Sequence, residues 1–246
     1  MGARAPRGFG QYSGTARALE RVGERWSLLI LRDLLQGARR YGDLKASLPR
    51  IPTNILSDRL RELQEAGLLR RVPVVRGGYE LTPLGRALEP VIVELERWGW
   101  SSLREAGEGE TMSGDALAHS LRAAFRADAA GSLPPTEYVL HVGGASVAAI
   151  VAGGALDVVP VGPGSVQAPA NRRMGTPQPE AILELVLDPE TLRDLLSGAI
   201  DPVADPAAVP VLAGRPEFVV RFCRTFRIEP VGPETSGAVA ATQSVA

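Results

Sequence analysis

The sequence predicts an α+β chain in two units: a helix-rich N-terminal unit that includes a β-hairpin, and a smaller second unit of sheet plus flanking helices. Three observations predict it. Before residue 105, apolar residues recur at helical spacing in several segments, interrupted by one Val- and Leu-rich stretch with a Gly-Gly turn. After a Gly- and Glu-rich stretch at 105–115, strand-like runs alternate with short helical ones. Charge divides at the same place: residues 1–105 carry 18 basic and 12 acidic side chains, whereas residues 106–246 carry 9 and 16. The expected units are therefore residues 1–104, a linker at 105–115, a second unit at 116–229 and a low-complexity, disordered tail at 230–246. The basic excess of the first unit suits a polyanionic partner.

Residues 1–12 read as a loose arm. Ser13 or Thr15 caps a helix ending near Val22. Trp26, Leu29, Ile30 and Leu34 mark a second helix that Gly37 ends, with Trp26 in its core. Residues 41–47 make a short helix, Pro49, Ile51 and Pro52 a turn, and Thr53 the cap of a helix that stops at Gly67. Leu56, Leu60 and Leu63 share one face of that helix and point to a core, which leaves a polar face free. Residues 69–75 form an edge strand, 76–78 a hairpin turn and 79–81 the returning strand. Thr82 and Pro83 start a helix to about Leu103, kinked at Pro90, with Leu84, Leu88, Val91, Leu95 and Trp98 at heptad spacing.

A short helix, a turn and a second helix followed by a basic hairpin form a winged helix–turn–helix, in which one helix enters the major groove and the wing meets the flanking backbone. The expected DNA-facing residues are Arg39, Arg40, Tyr41, Lys45, Thr53, Asn54, Ser57, Arg59, Arg61 and Arg76. Arg39, Arg40 and Lys45 suit phosphates, and Arg76 the minor groove or its phosphates. Asn54 and Arg61 suit either base edges or phosphates. The heptad seam is expected to pair two copies; the alternative is a helix packed only on its own unit.

In the second unit, residues 116–127 read as a helix, 138–142 and 145–151 as a hairpin about Gly143 and Gly144, and 156–161 and 182–187 as strands. Residues 162–180 read as a loop. Asp188 to Thr191 start a helix that ends at Gly198, residues 209–212 form a short strand, and 216–226 a last helix. Phe125, Tyr138, Phe218, Phe222 and Phe226 are a second core and candidate linings of an apolar ligand site.

Other classes find no support in the residues. Cys223, the only cysteine, allows no intramolecular disulfide and is expected to be a core residue in a reducing cytoplasm. Neither a secretory h-region nor a membrane-spanning run is present, so a cytoplasmic place and no membrane partner are expected. His119 and His141 stand apart with no Cys companion, so no metal site is expected. With no phosphate loop, no nucleophile elbow and no histidine with a metal or nucleophile partner at useful spacing, neither an enzyme nor a cofactor is expected.

Residues 18–35 (ALERVGERWSLLILRDLL), Arg39-Arg40-Tyr41, residues 56–63 (LSDRLREL), residues 79–85 (YELTPLG) and Trp98-Gly99 together resemble the HxlR-type winged helix–turn–helix transcriptional regulators over about residues 12–103. The resemblance implies a homodimer on pseudo-palindromic double-stranded DNA. Many such regulators place a cysteine before the first helix, where Tyr12 and Ser13 stand here, so a thiol switch at that place is excluded. Residues 183–188, the helix ending at Gly198 and the final helix are similar to sterol-carrier-protein-type domains over about residues 115–228. That second resemblance implies a sheet and helices enclosing an apolar pocket, and hence regulation by a small hydrophobic metabolite. The alternative is a purely structural or oligomerising second unit.

Overall fold

The computed structural model describes residues 8–72, 77–161 and 179–229. The expected N-terminal arm, most of the loop at 162–180, the tail and Arg76 lie wholly or largely outside them. In the first unit, α1 (Gly14–Val22) is capped by Ser13, whose hydroxyl accepts the Ala16 N–H at 3.1 Å. α2 (Ser27–Leu35) buries Ile30, Leu31 and Leu34 completely. Trp26 is only half-buried at its start, with Arg25 above the ring. A two-residue strand, β1 (Arg39–Arg40), leads into α3 (Tyr41–Ser47), where the Asp43 carboxylate accepts the Arg40 N–H.

α4 (Thr53–Glu65) follows, with Pro52 in the capping position that Thr53 was expected to hold. Leu56, Leu60 and Leu63 are fully buried on the inner face, so truncating any of them to Ala costs about 2–5 kcal/mol. Gly67 ends the helix at φ +72°, a left-handed turn that favours glycine, and brings the Leu68 N–H back to Leu63 O. The wing is β2 (Leu69–Val72) and β3 (Gly78–Leu81), antiparallel, and β1 adds to β3's other edge.

The single kinked helix expected over 83–103 is divided into α5 (Pro83–Arg86) and α6 (Glu89–Trp100). Pro90 has no N–H to return to residue 86, so the chain breaks at Ala87–Leu88. Gly85 lies against the Leu68 carbonyl so closely that a Cβ there would sit 2.1 Å from the oxygen, which fixes α5 on the base of the wing.

The second unit has α7 (Gly114–Ala124), α8 (Ala127–Ala130), β4 (Thr136–Val142), β5 (Ala145–Ala152), β6 (Ala155–Pro160), β7 (Ala181–Leu187), α9 (Pro189–Ser197), a 3-10 turn at Pro206–Ala208, β8 (Val211–Ala213) and α10 (Glu217–Thr225). Its five strands lie in the order β6-β5-β4-β7-β8, with only β4 and β7 parallel. One face carries the core, through Tyr138, Leu140, Val147, Leu183 and Leu185, against α7 and α10. No helix among the described residues is long and apolar enough to cross a membrane.

The two units share α7. On one side it packs on β5 and β6, on the other on α2 and α6. Ser120 donates to Glu96 at 2.6 Å, Arg97 to Ala123 O at 2.8 Å, and Arg122 to both Gln36 and Val158 O. Asp115, expected in a linker, is instead in the first turn of α7 and forms a buried two-pronged ion pair with Arg39. The linker is itself held, since Arg50 donates to Glu108 O and Glu190 accepts the Ala106 N–H.

Candidate nucleic-acid interface

The outer face of α4 carries Thr53, Asn54, Ser57, Arg61 and Gln64, all exposed. The Tyr41 hydroxyl donates to Thr53 O at 2.9 Å, and Ser57 donates to the same carbonyl at 3.1 Å. The Tyr41 side chain thus fixes the start of α4 relative to α3. Arg61 pairs with Asp58 one turn earlier at 2.9 Å, an exposed pair that a phosphate can displace at little cost. Arg40 is exposed beside them, while Lys45 folds back and donates to Pro49 O. Across from α4 the wing presents Arg70, paired with Glu80, and Arg71, 5.5 Å above the Tyr79 ring. Between helix and wing runs a groove of about 700 Å³ lined by Tyr41, Ser57, Arg61, Gln64, Arg71 and Tyr79.

Two expected DNA contacts lie elsewhere. Arg39 is 5% exposed. Strand alternation on β1 turns Arg40 outward and Arg39 inward, where Asp115 meets it. Asp33 lies near the same cation; burial raises its carboxyl's pKa, and Ser47 and Arg32 donate to it. Arg59 sits on the flank of α4, held by Glu62 at 2.6 Å and Glu24 at 3.4 Å, and ties α4 to the end of α1.

Along α5 and α6, Leu84, Val91, Leu95 and Trp98 are exposed and Leu88 is half-buried against the first core. Trp98 is 62% exposed, whereas Trp100, two residues on, enters the second core. The outer side of α6 is therefore an exposed apolar strip among the described residues, and α7 occupies its inner side.

The aromatic residues expected as a second core and as candidate ligand lining lie in or against that core. Tyr138, Phe222 and Phe226 are at most 1% exposed, with ring centroids 4.9–5.6 Å apart, and Phe125 lies 6.0 Å from Phe226. The rings pack against one another within the second core. Phe218 is outside this set, under Arg215 and Arg221. A small apolar cleft of about 230 Å³ lies at the edge, lined by Pro202, Pro206, Val209, Val211, Pro216 and Val219. Cys223 is half-buried beside the core, and burial pushes its thiol up to about 11.

His141, expected to stand apart, has two polar partners: its ring lies between the Ser146 hydroxyl at 2.8 Å and the Glu184 carboxylate at 2.9 Å. A two-residue turn at Gly143 and Gly144 sets residue 141 opposite 146, so this pair was readable from the hairpin. Glu184 arrives through the parallel pairing of β4 with β7, across 43 residues, and carried no local signal.

The profile of the HxlR-like helix-turn-helix family matches residues 21–106. The HTH-type transcriptional regulator Rv3095 of Mycobacterium tuberculosis is 53% identical over 87 residues, covering 34% of this chain and 54% of that protein. The chain thus spans about half the length of this relative. YvaP of Bacillus subtilis, also an HTH-type transcriptional regulator, is 36% identical over 86 residues, 33% of this chain and 80% of its own. Among solved structures, quinone-bound YodB from B. subtilis is 30% identical, covering 36% of this chain and 97% of that one, with a TM-score of 0.33. The matched segment runs from the end of α1 to just past α6 and contains the whole candidate interface. With four-fifths of YvaP covered at that identity, the chain belongs to the HxlR-like helix-turn-helix family.

Proposed function

We propose that the protein is a DNA-binding transcriptional regulator that acts as a homodimer. The observation that carries this reading is the outer face of α4. Its leucines are all turned inward, its polar residues outward, and Arg40 and the wing arginines flank it. α4 enters the major groove, with Asn54 and Ser57 near the leading end, and the groove between α4 and the wing receives a phosphate strand. The exposed strip Leu84, Val91, Leu95 and Trp98 supports pairing of two copies, which fixes the spacing of two half-sites. Selection of bound DNA from a random pool tests the reading. Enrichment of a two-fold symmetric site with salt-dependent affinity is expected; no enrichment, or binding insensitive to salt, would sink it.

The second unit acts on this reader through α7. A hydrophobic effector remains one reading, and the 230 Å³ cleft suits only a small one, below the usual size of a ligand pocket. The filled aromatic core and the shared helix favour the other reading, in which the second unit is a structural part of the reader. Effector control requires a molecule that favours one α7 position over another. Thermal shifts of the full chain with a panel of apolar metabolites distinguish the two, with no shift expected for a structural unit.

A further inference from the structure

Ser146, His141 and Glu184 stand on β5, β4 and β7, three adjacent strands, on the sheet face opposite its core. Neighbours in each strand alternate with them and are buried: Leu140 and Val142, Ala145 and Val147, Leu183 and Leu185. The trio itself is open to solvent, with His141 and Glu184 side chains 35% and 34% exposed. A carboxylate only accepts hydrogen bonds, so Nε2 of His141 carries the proton that goes to Glu184. That tautomer leaves the Nδ1 lone pair facing the Ser146 hydroxyl at 2.8 Å, within reach for proton transfer. Hydroxyl, base and orienting carboxylate thus stand in the relation that activates a serine, with the two ring nitrogens exchanged relative to the serine-protease arrangement.

We propose that Ser146 is a nucleophile that takes up the acyl group of activated esters, with His141 as its general base and Glu184 as a positioning residue. Ser146 Oγ attacks the ester carbonyl carbon while its proton passes to His141 Nδ1. The bond to the leaving alkoxide or phenoxide then breaks, and that oxygen takes the proton from His141, which leaves an acyl-serine and a neutral imidazole. No oxidant or reductant is needed. The surroundings set the substrate class. Val139, Ala148 and Val186 flank the trio on the same face, with Ile182 beyond Glu184, and they suit an apolar acyl chain. The three strands are interior to the sheet and their amides serve its ladders, so the strands do not supply the backbone donors of an oxyanion hole. Reactivity is therefore confined to esters with good leaving groups and does not extend to amides.

The test uses the full chain and p-nitrophenyl butyrate, followed by release of nitrophenolate and by peptide mass spectrometry. One butyryl group on Ser146 is expected, with Lys45, the only lysine, reporting the non-specific background. Ser146→Ala should lose the adduct, and His141→Gln should slow its formation about a hundredfold. Glu184→Gln, which keeps the side chain's shape, should slow it several-fold and serves as the second variant if His141→Gln melts early. Equal labelling of the parent chain and Ser146→Ala, acylation no faster than at Lys45, or unchanged rates in a folded His141→Gln or Glu184→Gln would each overturn the proposal.

Discussion

Removing either member of the Arg39–Asp115 pair should destabilise the whole chain, and by unequal amounts. The side chains are 6% and 10% exposed, so the pair is far from the solvent-screened case that contributes at most about 1 kcal/mol. Breaking a buried pair costs about 3–5 kcal/mol, because the remaining charge stays buried without its partner. That lowers the folding constant by between about a hundredfold and a few thousandfold. The surroundings place the two variants at opposite ends of this range. After Asp115→Ala, Arg39 still has Asp33 close by, and Asp33 is relieved of a neighbouring negative charge. About 3 kcal/mol is expected. After Arg39→Ala, Asp115 and Asp33 both lose a cation, although Arg32 still pairs with Asp33, and about 5 kcal/mol is expected.

Equilibrium urea unfolding of the full chain, followed by circular dichroism, measures both. The double variant Arg39→Met with Asp115→Leu should recover to within about 1 kcal/mol of the parent, since a well-packed apolar pair can replace a buried ionic one. Losses below about 1 kcal/mol in both single variants, or a larger loss for Asp115→Ala than for Arg39→Ala, would mean that the pair behaves as a solvent-screened one and that Asp33 does not bias it. A parallel readout separates folding from DNA contact. The salt slope of DNA binding by folded Arg39→Ala should equal that of the parent, because a buried guanidinium neutralises no phosphate.

Arg40→Ala, in contrast, should reduce that slope by about 0.9, the share of one phosphate contact. Asn54→Ala should alter base preference at one position per half-site, by about 1–3 kcal/mol, in a binding-site selection. Leu95→Ala with Trp98→Ala should shift sedimentation velocity from dimer to monomer and weaken binding to the two-half-site DNA. Burial lowers the His119 imidazole below its ordinary 6.5, so the unfolded chain takes up a proton at higher pH than the folded one. Its contribution to stability is therefore full above pH 6.5 and is lost as the pH falls from there through the folded value, and His119→Leu should remove that share of the decline in urea midpoints.

The first unit was largely legible because its determinants are local. Ser13 caps α1, the three leucines set the face of α4, Gly67 ends it, and Thr82 with Pro83 starts α5, all within a few residues of one another. What escaped was set across distance. β1 exists only because β3 offers an edge to Arg39 and Arg40, and two adjacent arginines gave no sign that one would turn inward. Asp115 read as linker because its surroundings are Gly- and Glu-rich, yet it meets a cation 76 residues away. The spacing of the aromatic residues marks a core, as Tyr138, Phe222 and Phe226 show, but pattern alone does not distinguish a core that closes from one that opens on a ligand.

The shared helix bears on how such a reader could be controlled. α6 has two usable faces, and α7 covers one of them through Glu96, Arg97 and the Ile92 carbonyl. Val91, Leu95 and Trp98 are exposed on the other face, the one left open to the proposed pairing of copies. The same α7 holds Arg39 at the root of the wing, and β1 pairs with β3 directly beyond it. A displacement of α7 would therefore act on the α6 strip and the wing together, the two elements that the proposed dimer would use for half-site spacing and backbone contact. That linkage needs no flexible tether between the units. The Arg39–Asp115 pair is the buried ionic contact that joins α7 to β1.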